Sequence, residues 1–517
     1  HRPALRGDRS VSGALRVFAD YRGDSVEEAD VVVVGSGPGG GVAAKELAES
    51  GHSVVLLEEG PPLTPDDFEL DSAISMARTM RESGLRTTLG TVMPTMQAIC
   101  LGGGSVVNSA ICVRTPEFVL DEWCERYGLR HTTRADLDPH YDAVGEFLGI
   151  APTPEAVLGR RNTLFREGCD ALGYASEPIQ RNVRGCRGSG ECFTGCRARA
   201  KQSVDITYVP AALRAGARVL TSARVEQVIV AGRRAVGVRG RFVTPFTGRV
   251  TASFEVRARA VVLAAGCMAT PVLLQKSGDL ANRSRQVGEN LRFHPGVAIT
   301  AFFDDEVDPS FGATQGYQSF QFLREGYKLE TLWAPPAVLA VRMPGSGHAL
   351  KNRLARLPRS VVWDAIGSCN RSVGTVRSRR WGDSPRLSWR LHRSEVSILS
   401  RALYTLTEIA FAAGARGVMA GVQGVPEEIH SLDAAQVLRN KDFNSGDFGT
   451  GGNHAFCTTR MHGDPARGVV DEFGRCHDVE NLYIADTGVF PRCPSVNPMW
   501  TGMALAHRTA ASVSDAL

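Results

Sequence analysis

Residues 29–60 read ADVVVVGSGPGGGVAAKELAESGHSVVLLEEG, and this stretch decides the fold. The runs Val31–Val34 and Val54–Leu57 are short and wholly apolar, as expected of strands buried on both faces of a parallel sheet. Between them, Val42 to Ser50 has the composition of a crossover helix. Gly35, Gly37 and Gly40 form a G-x-G-x-x-G turn after the first strand and at the mouth of that helix. The first glycine permits the tight turn, the second lets backbone approach a pyrophosphate, and the third brings helix and strand close together. Free N–H groups at the positive end of the helix then face the phosphate charge. Glu58 ends the second strand, 23 residues after Gly35, where an acid accepts hydrogen bonds from a ribose and disfavours a 2′-phosphate. The unit predicts a dinucleotide site and leaves FAD and NAD both open.

Working outward, a second glycine turn, LGGGSVVNSAI, fills residues 101–111, and 117–150 look helical. A cysteine- and glycine-rich loop, GCRGSGECFTGCRARAKQS, spans 185–203, after which strand-like runs return as far as Gly266. Residues 300–440 lose the alternation of strand and helix, and the last sixty turn glycine- and proline-rich before a closing helix. The expected fold is α/β. It comprises a discontinuous Rossmann-like nucleotide-binding domain (29–120, 200–300 and 455–517) and an antiparallel-sheet substrate domain carrying the cysteine loop (121–199 and 301–454). Residues 1–28 are expected to be a loose arm.

The chain has 517 residues, 43% hydrophobic and 22% charged, ordinary for a globular protein of more than one domain. A net charge of +4 is too balanced for a nucleic-acid binder. No apolar run has the length of a membrane span, and the first thirty residues lack the apolar centre of a signal peptide. Twelve cysteines are too dilute for a disulfide scaffold, so a cytoplasmic location is expected.

Several segments resemble the glucose–methanol–choline (GMC) family of FAD-dependent oxidoreductases. LGGGSVVNSAICVRTP is similar to the family's second signature, which implies that Gly102, Gly103, Ser105 and Asn108 face the flavin. Some members attach FAD through a histidine just before this asparagine; Val107 holds that position here, implying non-covalent FAD. RVEQVIV resembles the adenine-side strand, with Val225 as a contact, and ARAVVLAAGCMATPVLLQKSG resembles the return beside FAD at Gly266. VGENLRFHP matches a further family landmark, and NLYIADTGVFPRCPSVNPMWTGMALAHR implies flavin-binding roles for Asp486 and Pro498.

Oxidising an alcohol by hydride transfer requires a group to remove the hydroxyl proton and another to hold the oxygen. A neutral imidazole suits the first task. The resemblance places His454, in GNHAFCTTRMHGD, as the base, and Asn497, in PSVNPMW, as the orienting donor. Here Ala455 replaces the usual proline and Cys457 stands near the usual glycine, which puts the path of the histidine loop in question. His294, His462, His477 and His507 are read as structural.

Cys186, Cys192 and Cys196 have a spacing similar to that of cysteines holding an iron–sulfur cluster in some multi-subunit members. Reduced thiols or one labile disulfide is the preferred reading, and the cluster the lesser one. The resemblance implies oxidation of a bulky, long-chain or sterol-like alcohol to aldehyde or ketone, with oxygen or another electron acceptor restoring the flavin. A sugar or aminocyclitol substrate is the runner-up. A non-redox lyase and a non-catalytic flavoprotein are the readings from other classes.

Overall fold

The computed structural model describes residues 13–69, 71–340 and 343–517. Its main sheet runs, edge to edge, Leu15–Arg16, Arg218–Leu220, Val54–Leu57, Ser25–Val34, Val250–Leu263, Arg234–Val243 and Ala223–Ala231. Leu482–Ile484 joins as an eighth strand along the C-terminal end of Val250–Leu263. The joints from the first edge as far as Val250–Leu263 are parallel, and the last two strands form an antiparallel meander. Val31 to Val34 are 0–5% exposed, as expected of a central parallel strand, and the Pro38–Glu49 helix packs against it. The Pro38–Glu49 helix begins with proline in its first turn, where a missing N–H costs nothing. It packs on the closing helix, Met499–Ala516, which in turn packs on Arg134–Leu148.

The second sheet is antiparallel throughout. Its order is Gly417–Met419, Gly296–Phe302, Ser360–Gly367, Tyr327–Leu332, Tyr317–Ser319 and Glu177–Pro178. The amphipathic Arg393–Ala412 helix lies against it and buries Leu399, Leu403, Leu406 and Ile409. Each sheet has its own apolar core.

Two expected boundaries need correction. The loose arm of residues 1–28 is, from residue 13, built into the main sheet, while residues 1–12 lie outside the described residues. Leu15 and Arg16 pair with Val219 and Leu220, and the long Ser25–Val34 strand starts well before its apolar run. Tyr21 stacks on Phe242 with ring centres 3.7 Å apart and donates to the Thr221 carbonyl at 2.7 Å. The expected division also assigned residues from 121 onward to the substrate side. Trp123, Leu137, Tyr141 and Val144 instead enter the core of the main sheet: the apolar stripe of the Arg134–Leu148 helix faces the closing helix, and Trp123 packs on Phe490 with ring centres 5.5 Å apart.

Candidate active site

The nucleotide turn is made of backbone. A β-carbon on Gly40 would stand 1.8 Å from the Gly35 carbonyl oxygen, so helix and turn touch there as only glycine allows. Gly35 has φ +97°, a left-handed conformation that side chains disfavour, and its α-carbon lies against Ala264. A β-carbon on Gly103 would lie 2.7 Å from the Gly37 α-carbon, so the two glycine turns abut. Beside Gly37, Gly104 and Gly266, by contrast, there is open space. This is a backbone-lined slot, next to the start of a long helix, that a side chain would fill; it fits a pyrophosphate-bearing cofactor.

Hydrogen bonds tie the surrounding positions together. Glu58 Oε2 accepts from Ser36 N at 3.0 Å and Ser36 Oγ at 2.6 Å, and Oε1 accepts from Gly60 N. Ser36 Oγ also accepts from Gly102 N at 3.0 Å, linking the two turns. Burial pushes the Glu58 carboxyl up, and these donors partly restore it. Ala223 N donates to the Glu58 carbonyl, placing the strand that carries Val225 beside it. Asp486 Oδ2 accepts from Gly266 N and Thr270 Oγ1, and its Oδ1 from Gly488 N. It therefore clamps the returning strand to the C-terminal segment; burial raises its carboxyl against those same donors. Ser105 Oγ donates to the Gly102 carbonyl and accepts from Val204 N, bracing the second turn. Asn108 Nδ2 lies 3.0 Å from Met499 Sδ, one residue beyond Pro498, which caps the closing helix.

His454 is positioned by a short ladder. Arg292 pairs with Phe456 and Phe293 with Ala455, so the next residue, His294, comes opposite His454. The two Nδ1 atoms are 3.1 Å apart and the rings meet edge to face. Burial drives His454 down to about 4; Glu330 opposes this shift and Lys328 adds to it. His454 is therefore neutral at pH 7, and part of its surface stays open. His294 is 2% exposed and held well below its ordinary value by burial and by His454.

Asn497 is buried, and its Oδ1 accepts from Lys328 Nζ at 2.8 Å. The Lys328 ammonium also contacts Glu330, whose other oxygen accepts from Gln315 Nε2 at 2.7 Å. Lys328 and Glu330 are 0% and 1% exposed, a buried ion pair beside both expected catalytic side chains. Neither it nor the His294 contact was expected from sequence. The period-two charges of YKLETL, on one face of a strand, were the available sign for the pair, and the HP of VGENLRFHP was the sign for His294. His462, Nδ1 to Asp464 N, and His477, ring to the His462 carbonyl, brace a loop. His507 meets His140 across two helices.

The cysteine loop brings Cys186, Cys192 and Cys196 to one small cavity. Among the described residues, no three His, Cys, Asp or Glu side chains are placed to hold a single metal ion.

Fold and site together define a flavoprotein oxidoreductase, and three comparisons narrow the class. Family models described as GMC oxidoreductase match residues 76–296 and 370–506, and an FAD binding domain model matches 30–65. An uncharacterised GMC-type oxidoreductase of Mycobacterium tuberculosis is 35% identical over 501 residues, 96% of this chain and 77% of that protein. Long-chain-alcohol oxidase FAO4B of Arabidopsis thaliana is 29% identical over 94% of this chain and 67% of its own. Pyridoxine 4-oxidase from Mesorbium loti superposes with a TM-score of 0.71 at 20% identity, over 93% of this chain and 98% of that one. The chain belongs to the GMC oxidoreductase family. It is an FAD-dependent enzyme acting on CH–OH groups.

Proposed function

We propose that this enzyme oxidises a bulky, long-chain or sterol-like alcohol to an aldehyde or ketone, passing electrons on to oxygen or another acceptor. The FAD, bound non-covalently, supplies the hydride acceptor. Gly35, Gly37 and Gly40 would hold its pyrophosphate, with Glu58 and Val225 on the nucleoside side. Gly102, Gly103, Ser105, Asn108, Gly266, Asp486 and Pro498 would enclose the rest.

The observation that carries the reading is the pairing of a neutral, partly open His454 with an Asn497 held through its oxygen. Lys328 occupies the amide oxygen, so the Asn497 NH₂ is left to donate to a substrate oxygen. His454 Nε2 is basic in the tautomer whose Nδ1–H donates to His294 Nδ1, and it then takes the hydroxyl proton as the carbon–hydrogen bond breaks. The long-chain-alcohol oxidase among the relatives supports the substrate class. Anaerobic addition of long-chain alcohols should bleach the bound flavin, and His454→Ala should slow bleaching by about a hundredfold or more. A flavin that stays yellow with every alcohol would point to a lyase, and an unchanged rate would remove His454 from the chemistry.

A further inference from the structure

Two buried cations and three thiols share a chamber bonded to the 106–109 backbone. Cys186, Cys192 and Cys196 line a cavity of about 20 Å³ together with Arg181 and Lys201, room for one molecule about the size of water. Cys192 is buried, whereas Cys186 and Cys196, on the same cavity, are partly exposed.

Arg181 and Lys201 are fully buried. Lys201 Nζ donates to the carbonyls of Val106 and Asn108 at 2.7 Å and of Cys192 at 2.8 Å. Arg181 donates to the Ser109 carbonyl at 3.2 Å and to Cys192 Sγ at 3.1 Å, and its Nη1 has no partner among the described residues. Asp205, whose field reaches Lys201, lies 4.0 Å from the Arg199 guanidinium instead. Buried cations without a paired carboxylate are costly unless another anion stands beside them. The sulfur of Cys192 has that place. Burial pushes its thiol up, but Arg181 and Lys201 more than reverse this and leave it below the ordinary value. At the buried Cys100, Cys112 and Cys267, burial prevails and the thiols are raised.

We propose that Cys192 is a peroxide-reactive thiolate whose oxidised form is resolved by Cys196. The Cys192 sulfur attacks one oxygen of hydrogen peroxide and the O–O bond breaks. The sulfur, oxidised by two electrons, becomes a sulfenic acid, and the departing hydroxide takes a proton and leaves as water. The Cys196 sulfur then attacks Cys192; an S–S bond forms, the S–O bond breaks and a second water leaves. Oxidation removes the negative charge that Arg181 and Lys201 face. Both cations hold carbonyls of residues 106–109, so the change reaches the second glycine turn; that this turn lines the flavin rests on the function proposed above.

The full-length holoenzyme would be treated with equimolar hydrogen peroxide, quenched at intervals with an alkylating agent and read by peptide mass spectrometry. Cys192 should lose alkylation at least about tenfold faster than Cys124, a partly exposed cysteine elsewhere. A disulfide to Cys196 should follow, with a shift in the flavin absorbance band. In Cys196→Ser, a dimedone adduct should accumulate on Cys192. Equal rates at Cys192 and Cys124, or stoichiometric iron and acid-labile sulfide in the untreated protein, would overturn the proposal. A fast Cys192 with an unmoved flavin band would leave the thiol chemistry standing and refute only its coupling to the flavin turn.

Discussion

The two halves of the proposed active site are built from different materials. On the main-sheet side, the proposed recognition is by backbone: Gly35, Gly37, Gly40 and Gly103 would act by having no side chain, and the tight contact of Gly40 with Gly35 is made within one turn. On the second-sheet side it is done by charge. Lys328, paired with Glu330, reaches Asn497 from 169 residues away in the chain, and His294 reaches His454 from 160. The first half depends on close approach and tolerates no added atom; the second depends on a balanced set of buried charges and tolerates no missing one.

The sharpest break in the backbone half is Gly40→Ala. The new β-carbon would collide with the Gly35 carbonyl oxygen, and neither atom belongs to a flexible side chain. Overpacking of this kind costs about 1–3 kcal/mol or more, and if it falls on the bound state the upper figure lowers FAD affinity more than about a hundredfold. Flavin content of the purified variant, read by absorbance, checks this; a normally yellow protein would mean that the slot is looser than its geometry implies.

In the charged half, Lys328→Met strands the Glu330 carboxylate, and removing one partner of a buried pair costs about 3–5 kcal/mol. Turnover should fall as well, because the Asn497 amide loses the donor that orients it. Lys328→Met combined with Glu330→Gln should recover much of the stability and little of the turnover. Denaturant melts and single-turnover rates separate the two effects, and a double variant with full activity would free Asn497 from any dependence on Lys328.

The same burial sets a pH dependence. His454 is near 4 in the folded protein and near its ordinary 6.5 when unfolded. Its folded value is the lower one, so its contribution to stability is full above about 6.5 and lost as pH falls towards 4. His140, also driven to about 4 by burial and by His507, adds in the same direction. As the proposed base His454 must be neutral, so kcat/KM should stay level from about pH 8 to 5 and fall only below that. An acid limb centred near 6.5 would mean that another group, or a more solvated His454, does the work.

This contrast in materials explains what sequence could disclose. The strand–turn–helix of 29–60 and the second turn are local and were legible residue by residue. Their links through Ser36 were not, since a serine between glycines has no signature of its own. His454 and Asn497 became candidates only through the family's motifs. Their supports, His294 and Lys328, arrive through strand pairing and carry no local mark beyond alternation. The early strand at Leu15 was missed because two residues on a sheet edge show no periodicity.

The smallest effect lies where this sequence departs from its family. Cys457, near the position the family usually gives to glycine, has φ +75° in a left-handed conformation while its side chain is fully buried. Holding a residue with a β-carbon there costs roughly 1–2 kcal/mol. Cys457→Gly would relieve that strain. It would also forfeit the packing of a buried sulfur, at about 1 kcal/mol for a methyl-sized void, and enlarge the freedom of the unfolded chain. The opposing amounts nearly match, so stability in denaturant should change by less than about 1 kcal/mol. Flavin reduction should hold within about threefold, because the Arg292–Phe293 ladder, rather than the Cys457 side chain, fixes His454. A large loss of rate with unchanged stability would show that the strained turn itself aims the imidazole, moving residue 457 into the charged half of the site.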